Sequence, residues 1–471
     1  MNRRQIIGFA VGPLGAGLLS AVSLPIMTWI FPPDMIGKLS MLQVATSLFT
    51  LLCCFGLDQA YVREFHESPD KPALFLNATL PGLVFLLVLL AVLMAFSPSL
   101  LSSLLFDERS VAFSASVVLC LVAVYLSRFL SLILRMQDRG LAFSMSQLFS
   151  KMVLLLIVLS YVAFATPRTF TMLLAAQVSA FLMTLSVFAW NTRRDWQPAI
   201  HARLEPVQIA RLLSFGWPLV FGGVASWGLS TIDRVFLRSV STYDELAVYS
   251  VAASMASAVT IFAGIFNIIW SPMVYRWVAN KADMNRVDAI AEQMTVLAFL
   301  LVCLAGGSSW LLNYLLPPAY ANVPYIIVGC IVSPLFYTLS EVTGIGIAVT
   351  RRTTYSLFAS AGSVILNTGL CYLFVPQHGA TGAMIASVCA FGLFFVLRTE
   401  FSAYLWRSAH RTRKYIYAGS MAFLAVIFAL YGNRPQIGAV AIWWLLFIGA
   451  IFLNRSMLVS LGRSVYTALR G

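Results

Sequence analysis

The chain has 471 residues, 60% of them hydrophobic and only 10% charged, with a formal net charge of +13 and a mean hydropathy of +0.86. A water-soluble domain carries roughly a quarter charged residues, so this composition excludes a soluble protein and makes lipid the solvent for most of the chain. The basic excess does not mark a nucleic-acid binder, because it is spread over short connecting segments.

Apolar stretches long enough for a helix to cross a hydrocarbon core of about 30 Å follow one another with no long polar stretch between them. They predict an all-α, polytopic membrane protein with about fourteen spans, near 6–30, 39–61, 76–97, 111–134, 142–164, 169–190, 213–236, 246–275, 290–315, 324–349, 355–375, 380–402, 415–431 and 437–453. Strand alternation is absent, which argues against a β-barrel. The first run follows Met1-Asn2-Arg3-Arg4. It is too long for the apolar part of a signal peptide and lacks a small-residue cleavage site, so it reads as a membrane helix interrupted by Gly12-Pro13 and Pro25.

Outer connections are short, at Phe31-Pro32-Pro33-Asp34, Thr166-Pro167-Arg168, Pro317-Pro318 and Pro376-Gln377-His378-Gly379. The longest inner connection, 191–212, separates an amino-terminal six-helix bundle (1–190) from a second one (213–405). Within it, Glu205 to Leu212 reads as a short interfacial amphipathic helix. Two extra helices (406–453) and an amphipathic tail (454–471) follow, the tail carrying Leu458, Leu461, Val465 and Leu469 at helical spacing. The seven cysteines all fall in apolar spans without a C-x-x-C pair and read as small buried residues.

Charge sets the orientation. Of the 31 basic residues, 22 fall on one set of alternate loops, 5 on the other, and 4 (Arg128, Lys151, Arg234 and Arg398) inside spans. The excess belongs on the cytoplasmic side, which places both termini there and requires an even number of spans.

The two halves show weak internal similarity. Leu126-Ser127-Arg128 and Leu339-Ser340-Glu341 end 213 residues apart, and Gln177-Val178-Ser179-Ala180-Phe181 matches Ser387-Val388-Cys389-Ala390-Phe391 at an offset of 210. Six intervening helices would give both repeats the same orientation, related by a pseudo-two-fold axis along the membrane normal.

Ionisable residues at membrane depth are costly and usually functional. Lys151 lies about nine residues into its span, some ~14 Å deep at 1.5 Å per residue, with no easy route to water. Arg128 and Glu341 occupy the matched repeat positions, where they suit an ion pair across the halves, functional or purely structural. Asp58 and Arg63 lie near the inner end of the second span, and Asp233 and Arg234 near the outer end of the seventh. Arg63, Asp233, Arg234 and Arg398 have an equally simple reading as interfacial or snorkelling side chains. Gln147, Trp227, Asn267 and Asn367 are polar or aromatic groups at depth that suit contact with sugar. A membrane tryptophan is more often an interfacial anchor, although Trp227 is placed mid-span.

Several chemistries are missing from the sequence. It has no G-x-x-x-x-G-K-[ST] loop for ATP, no H-E-x-x-H, no G-x-S-x-G and no histidine cluster. No catalytic and no metal-binding residues are assigned, and no cofactor beyond a coupling H+ or Na+. A membrane polymerase or ligase would need a catalytic outer loop, and none is found.

The stretch Ser230-Thr231-Ile232-Asp233-Arg234-Val235-Phe236-Leu237, followed by Asp244-Glu245-Leu246-Ala247-Val248-Tyr249-Ser250, resembles the bacterial polysaccharide-transport family of lipid-linked oligosaccharide flippases, the Wzx type. This family belongs to a superfamily that includes multidrug extrusion proteins and lipid II flippases. Leu24-Pro25 through Gly37, Gly56 through Arg63, and Pro376 through Ala383 are similar to further family segments, while Ala247 stands where the family usually has glycine. The resemblance is diffuse but covers nearly the whole chain.

It implies two six-helix bundles around a central cavity and a flippase that is not an enzyme. The substrate would be an undecaprenyl-pyrophosphate-linked oligosaccharide, moved from the inner to the outer leaflet of the bacterial cytoplasmic membrane for surface polysaccharide synthesis. Arg128 and Lys151 would meet the diphosphate, with Arg63 and Arg234 behind them, and Trp227, Asn267 and Asn367 would meet sugar. Glu341, Asp58 and Asp233 would balance charge or bind the coupling ion. Polysaccharide polymerase and chain-length proteins are the implied partners, nucleic acid is not, and a cation-coupled multidrug antiporter on the same fold is the alternative.

Overall fold

The computed structural model describes residues 22–164, 167–280, 284–407, 411–432 and 436–459, together with 15, 17, 19 and 20. The described residues are helical with short connections. Their contacts divide the chain into two compact units, one ending at Arg238 and the other beginning at Ser239.

The first unit begins with α1, described as helix over 22–30, and continues through α2 (Pro33–Cys53), α3 (Leu57–Glu64), α4 (Lys71–Phe96), α5 (Leu100–Phe106), α6 (Val111–Met136), α7 (Gly140–Ala163), α8 (Phe170–Asn191), α9 (Arg193–Ile200) and α10 (Pro206–Val240). Short polar residues start several of them. Asp70 accepts from the Ala73 N–H at 2.9 Å and Ser110 from Phe113 at 3.3 Å, meeting donors that a helix start leaves unpaired. Helix α6 runs through the middle of the unit, touching α2, α3, α4, α5, α7 and α8. Its buried face includes Cys120, Tyr125, Phe129 and Ile133, and the Tyr125 hydroxyl donates to the Thr79 carbonyl at 2.8 Å.

The second predicted span, 39–61, is broken. Phe55 and Gly56 both have positive φ, 48° and 70°, and they turn the chain from α2 into α3. The close approach of α10 to this turn requires glycine on both sides. A Cβ on Gly216 would lie 2.6 Å from the Phe55 carbonyl oxygen, and one on Gly56 would strike the Gly216 backbone. The segment expected as a separate interfacial helix, Glu205 to Leu212, is instead the start of α10. No helix breaker separates it from the seventh span, and Pro218 is accommodated within the helix. The inner connection carries α9 as well, which the apolar pattern did not announce. Helix α10 makes its contacts with the first unit. Arg211 pairs with Glu64 at 2.7 Å, and the Trp227 indole donates to the Ser47 hydroxyl at 3.0 Å. The division between units falls at Arg238, in the last turn of α10.

The second unit comprises α11 (Tyr243–Ala279), α12 (Asn285–Ser308), α13 (Leu312–Leu315), α14 (Val323–Thr343), α15 (Ile345–Val349), α16 (Thr354–Leu405), α17 (Thr412–Tyr431) and α18 (Gln436–Leu453). Helix α14 is its almost wholly buried centre, packed against α11, α12, α16 and α17. The matched tripeptides thus lie on the central helix of each unit. Helix α16 joins two predicted spans, 355–375 and 380–402. The expected outer loop at Pro376–Gly379 is a kink at Gly379, φ 50°, where the Glu245 carboxylate accepts from the Ala380 N–H at 2.7 Å.

Ten helices among the described residues are long and apolar enough to cross a membrane. One of them is the kinked α16, and α18 adds a shorter apolar helix. The chain is a multi-pass membrane protein. The predicted tail lies outside the described residues beyond 459.

Candidate functional site

The cation-bearing face of α6 opens onto a cavity of about 490 Å³ within the first unit, in the size range of small-ligand sites. Four other helices and the bend between α2 and α3 complete its wall. Helix α2 supplies Thr46, Ser47 and Thr50, the bend supplies Cys54 and Gly56, α3 supplies Asp58 and Gln59, and α8 and α10 supply Phe181, Leu219, Val220 and Gly223. The glycines let the backbones approach, and the small hydroxyl residues of α2 leave the space open.

Arg128 and Asp58 form the charged part of the wall. The guanidinium places Nη2 2.7 Å and Nε 3.3 Å from the same carboxylate oxygen, Oδ2, which also accepts from the Gln59 amide at 3.2 Å. The two partners differ in exposure. The Arg128 side chain is 43% exposed and that of Asp58 only 11%, so the arginine keeps donors facing the cavity while the carboxylate sits behind it. Thr50 Oγ1 is buried without a hydrogen bond. Trp227 reaches this region through Ser47, whose hydroxyl accepts from its indole.

Arg128 and Glu341, the matched repeat positions, each have a partner of opposite charge close by. Each residue is satisfied inside its own unit, Arg128 by Asp58 and Glu341 by Arg398. Short-range pairing within a unit offsets part of the desolvation cost of each charge. Arg398, read from sequence as a snorkelling residue, is buried. It bonds Glu341 and approaches the Ser340 hydroxyl at 3.4 Å, with its guanidinium 5.3 Å from the Phe394 ring centre. Gly344 makes room for it, since a Cβ there would lie 3.1 Å from Arg398 Nε.

The remaining sequence candidates are dispersed. Lys151 is half-buried at the middle of α7 and makes no hydrogen bond or ion pair among the described residues. Arg63 is exposed and stacks on Phe215 with its guanidinium 4.4 Å from the ring centre, so its role as an anion ligand gains nothing from its surroundings. Asp233 is buried, and Arg234 beside it has a buried Nε without a hydrogen bond. Asn367 is fully buried in the second unit, where its Oδ1 lies 3.7 Å from the Cys371 sulfur. The side chains of Asn267 and Gln147 lie outside the described residues.

Sequence reasoning missed the hydroxyl face of α2 and Gln59. Thr46, Ser47 and Thr50 share one side of the helix at the i, i+1, i+4 spacing, and that spacing was available as a signal.

The family described as polysaccharide biosynthesis protein matches residues 3–278. The fold is similar to that of the lipid II flippase MurJ in its inward closed conformation, at 12% identity and a TM-score of 0.60, covering 94% of this chain and 98% of that one. It is also similar to a multidrug resistance MATE family transporter of the MOP superfamily in its inward-facing conformation, at 14% identity and a TM-score of 0.55, covering 87% of this chain and 97% of that one. Both neighbours are transport proteins and not enzymes. No curated protein matches in sequence. With more than half of its length matched by that family, the chain belongs to the family described as polysaccharide biosynthesis protein.

Proposed function

We propose that this protein is a flippase for undecaprenyl-pyrophosphate-linked oligosaccharide repeat units, which it moves from the inner to the outer leaflet of the bacterial cytoplasmic membrane during surface polysaccharide synthesis. The observation that carries this reading is the 490 Å³ cavity lined by hydroxyls and by the partly exposed Arg128, inside a unit built of membrane-spanning helices. A diphosphate and its sugars cannot enter hydrocarbon without an equivalent of their hydration. Hydroxyl groups suit sugar, and a guanidinium suits phosphoryl oxygens. Arg128 and Lys151 meet the diphosphate, and Arg63 and Arg234 take secondary positions. Asp58, Asp233 and Glu341 balance these cations or bind a coupling H+ or Na+. The lipid tail stays in the bilayer while the two halves alternate between inward and outward openings. The distribution of arginine supports a cytoplasmic position for both termini.

Deletion of the gene tests the proposal. Lipid-linked repeat units should accumulate on the inner leaflet, and surface polysaccharide should be lost. Normal surface polysaccharide in the deletion strain, combined with drug sensitivity that the restored gene relieves, would replace this reading with that of a small-molecule antiporter.

A further inference from the structure

Where α12 and α17 begin and α16 ends, the second unit gathers ionised side chains from all three. Arg407 pairs with Asp288, Arg411 with Glu400 and Arg413 with Glu292. Lys414 differs from these three. Its side chain is only 6% exposed, and its ammonium lies 3.8 Å from Asp288 Oδ1, beyond hydrogen-bond distance, while Arg407 occupies the other oxygen of that carboxylate. A buried ammonium has three donors to satisfy, and among the described residues Lys414 makes no hydrogen bond.

The space beside it is a small pocket of about 30 Å³, lined by Asp288, Thr343, Thr399, Ser402, Arg407 and Arg411 among others. Its hydroxyls are already engaged. Thr343 and Thr399 lie within hydrogen-bond distance of each other, 2.6 Å apart, and Ser402 accepts from the Gly346 N–H. The donors left for a visitor are the cations and the Ser402 hydroxyl, which accepts from Gly346 and keeps its own proton to give. Arg411, Arg413 and Lys414 also stand in the first turn of α17 or just before it, at the positive end of the helix dipole, with no side-chain cap. Cations there repel the dipole and attract an anion. The volume takes one or two water-sized groups, which suits phosphoryl oxygens and excludes a sugar ring. The pocket lies at the ends of membrane-spanning helices and includes Trp406 in its wall, an arrangement that belongs at headgroup depth.

We propose that this pocket binds the phosphoryl group of an anionic phospholipid, with Lys414 and Arg407 as its ligands. The site is separate from the cavity of the first unit and does not depend on what that cavity transports.

Purified full-length protein is placed in nanodiscs of phosphatidylcholine alone or with phosphatidylglycerol, and in phosphatidylcholine with millimolar inorganic phosphate. Thermal unfolding and native mass spectrometry then read stability and retained lipid. Phosphatidylglycerol should raise the unfolding midpoint, and Lys414→Gln should abolish that rise and weaken lipid retention by roughly tenfold or more. Lys414→Gln should also unfold no earlier than the native protein in phosphatidylcholine, because it removes a buried charge that lacks a hydrogen bond. Arg276→Gln, at an exposed position, should keep the full response. An equal rise with inorganic phosphate would support the phosphoryl site and assign it to a soluble ligand. No rise with either, or an undiminished rise in Lys414→Gln, would overturn the proposal.

Discussion

Replacing Arg128 separates a structural from a transporting role for the pair it forms with Asp58. Arg128→Ala leaves a carboxylate that is 11% exposed with only the Gln59 amide, 3.2 Å away, as a partner. Breaking a fully buried pair costs about 3–5 kcal/mol, whereas an exposed pair is worth about 0–1 kcal/mol. The guanidinium is 43% exposed while the carboxylate is not, so we expect a loss of roughly 1–3 kcal/mol for Arg128→Ala. Asp58→Asn should cost less, about 1 kcal/mol or under, because the arginine it leaves behind can reach the water of the cavity. Arg128→Lys keeps the charge and one bond to Asp58 but loses the planar fork that grips phosphoryl oxygens. It should stay within about 1 kcal/mol of the native protein, yet lose export by roughly tenfold or more. Thermal unfolding of the purified protein and restoration of surface polysaccharide in the deletion strain, normalised to folded protein, provide the two readouts. Full export by Arg128→Lys, or export falling only in proportion to folded protein across all three variants, would show that the pair merely fastens α3 to α6.

Three further perturbations test other parts of the account. Lys151→Ala removes a cation with no hydrogen bond or ion pair among the described residues, so stability should hold within about 1 kcal/mol while export falls; native export would take Lys151 off the site. Gly216→Ala should cost roughly 1–3 kcal/mol by driving a methyl group against the Phe55 carbonyl, whereas Gly222→Ala, on the same helix with nothing within 4 Å of the added atom, should be neutral or slightly stabilising in thermal unfolding. Arg398→Met and Glu341→Gln should each destabilise the second unit, and the double variant by less than their sum, with a coupling of about 1 kcal/mol or more in a double-mutant cycle; strict additivity would mean that the pair is not a unit.

Sequence alone revealed the membrane class, because a span is announced by some twenty apolar residues in a row and needs no knowledge of its neighbours. It was less informative wherever two solutions have the same hydropathy. Phe55-Gly56 sits in an apolar run that reads as continuous helix, and only the approach of Gly216 explains why the chain turns there. Pro376 to Gly379 carries the composition of a loop, yet Glu245 reaches in from α11 to hold the Ala380 N–H, and the chain passes through as a kinked helix. Glu205 to Leu212 has the amphipathic pattern of an interfacial helix and simply continues into the span. The first two features are decided by a contact between residues far apart in sequence, which periodicity does not encode.

The site was legible in a similarly partial way. Arg128, Asp58, Lys151 and Glu341 stood out because charge is rare at depth, but rarity does not say which charge answers which. The sequence coupled Arg128 to Glu341 by repeat symmetry, and within its own unit Arg128 bonds Asp58 while Glu341 bonds Arg398. That outcome changes what a buried cation signifies. An arginine whose guanidinium bonds a carboxylate of its own unit has its desolvation repaid by the protein and is required for assembly before it is available to anything else. Half-buried Lys151 in α7 and buried Lys414 in α17, whose ammonium has only Asp288 at 3.8 Å, receive no such hydrogen bond among the described residues, so the protein offsets less of the cost of burying them. Missing hydrogen bonds, more than the presence of charge, are therefore the observations on which the proposed anion contacts rest. Arg128 joins them only through the exposed donors that Asp58 leaves unused.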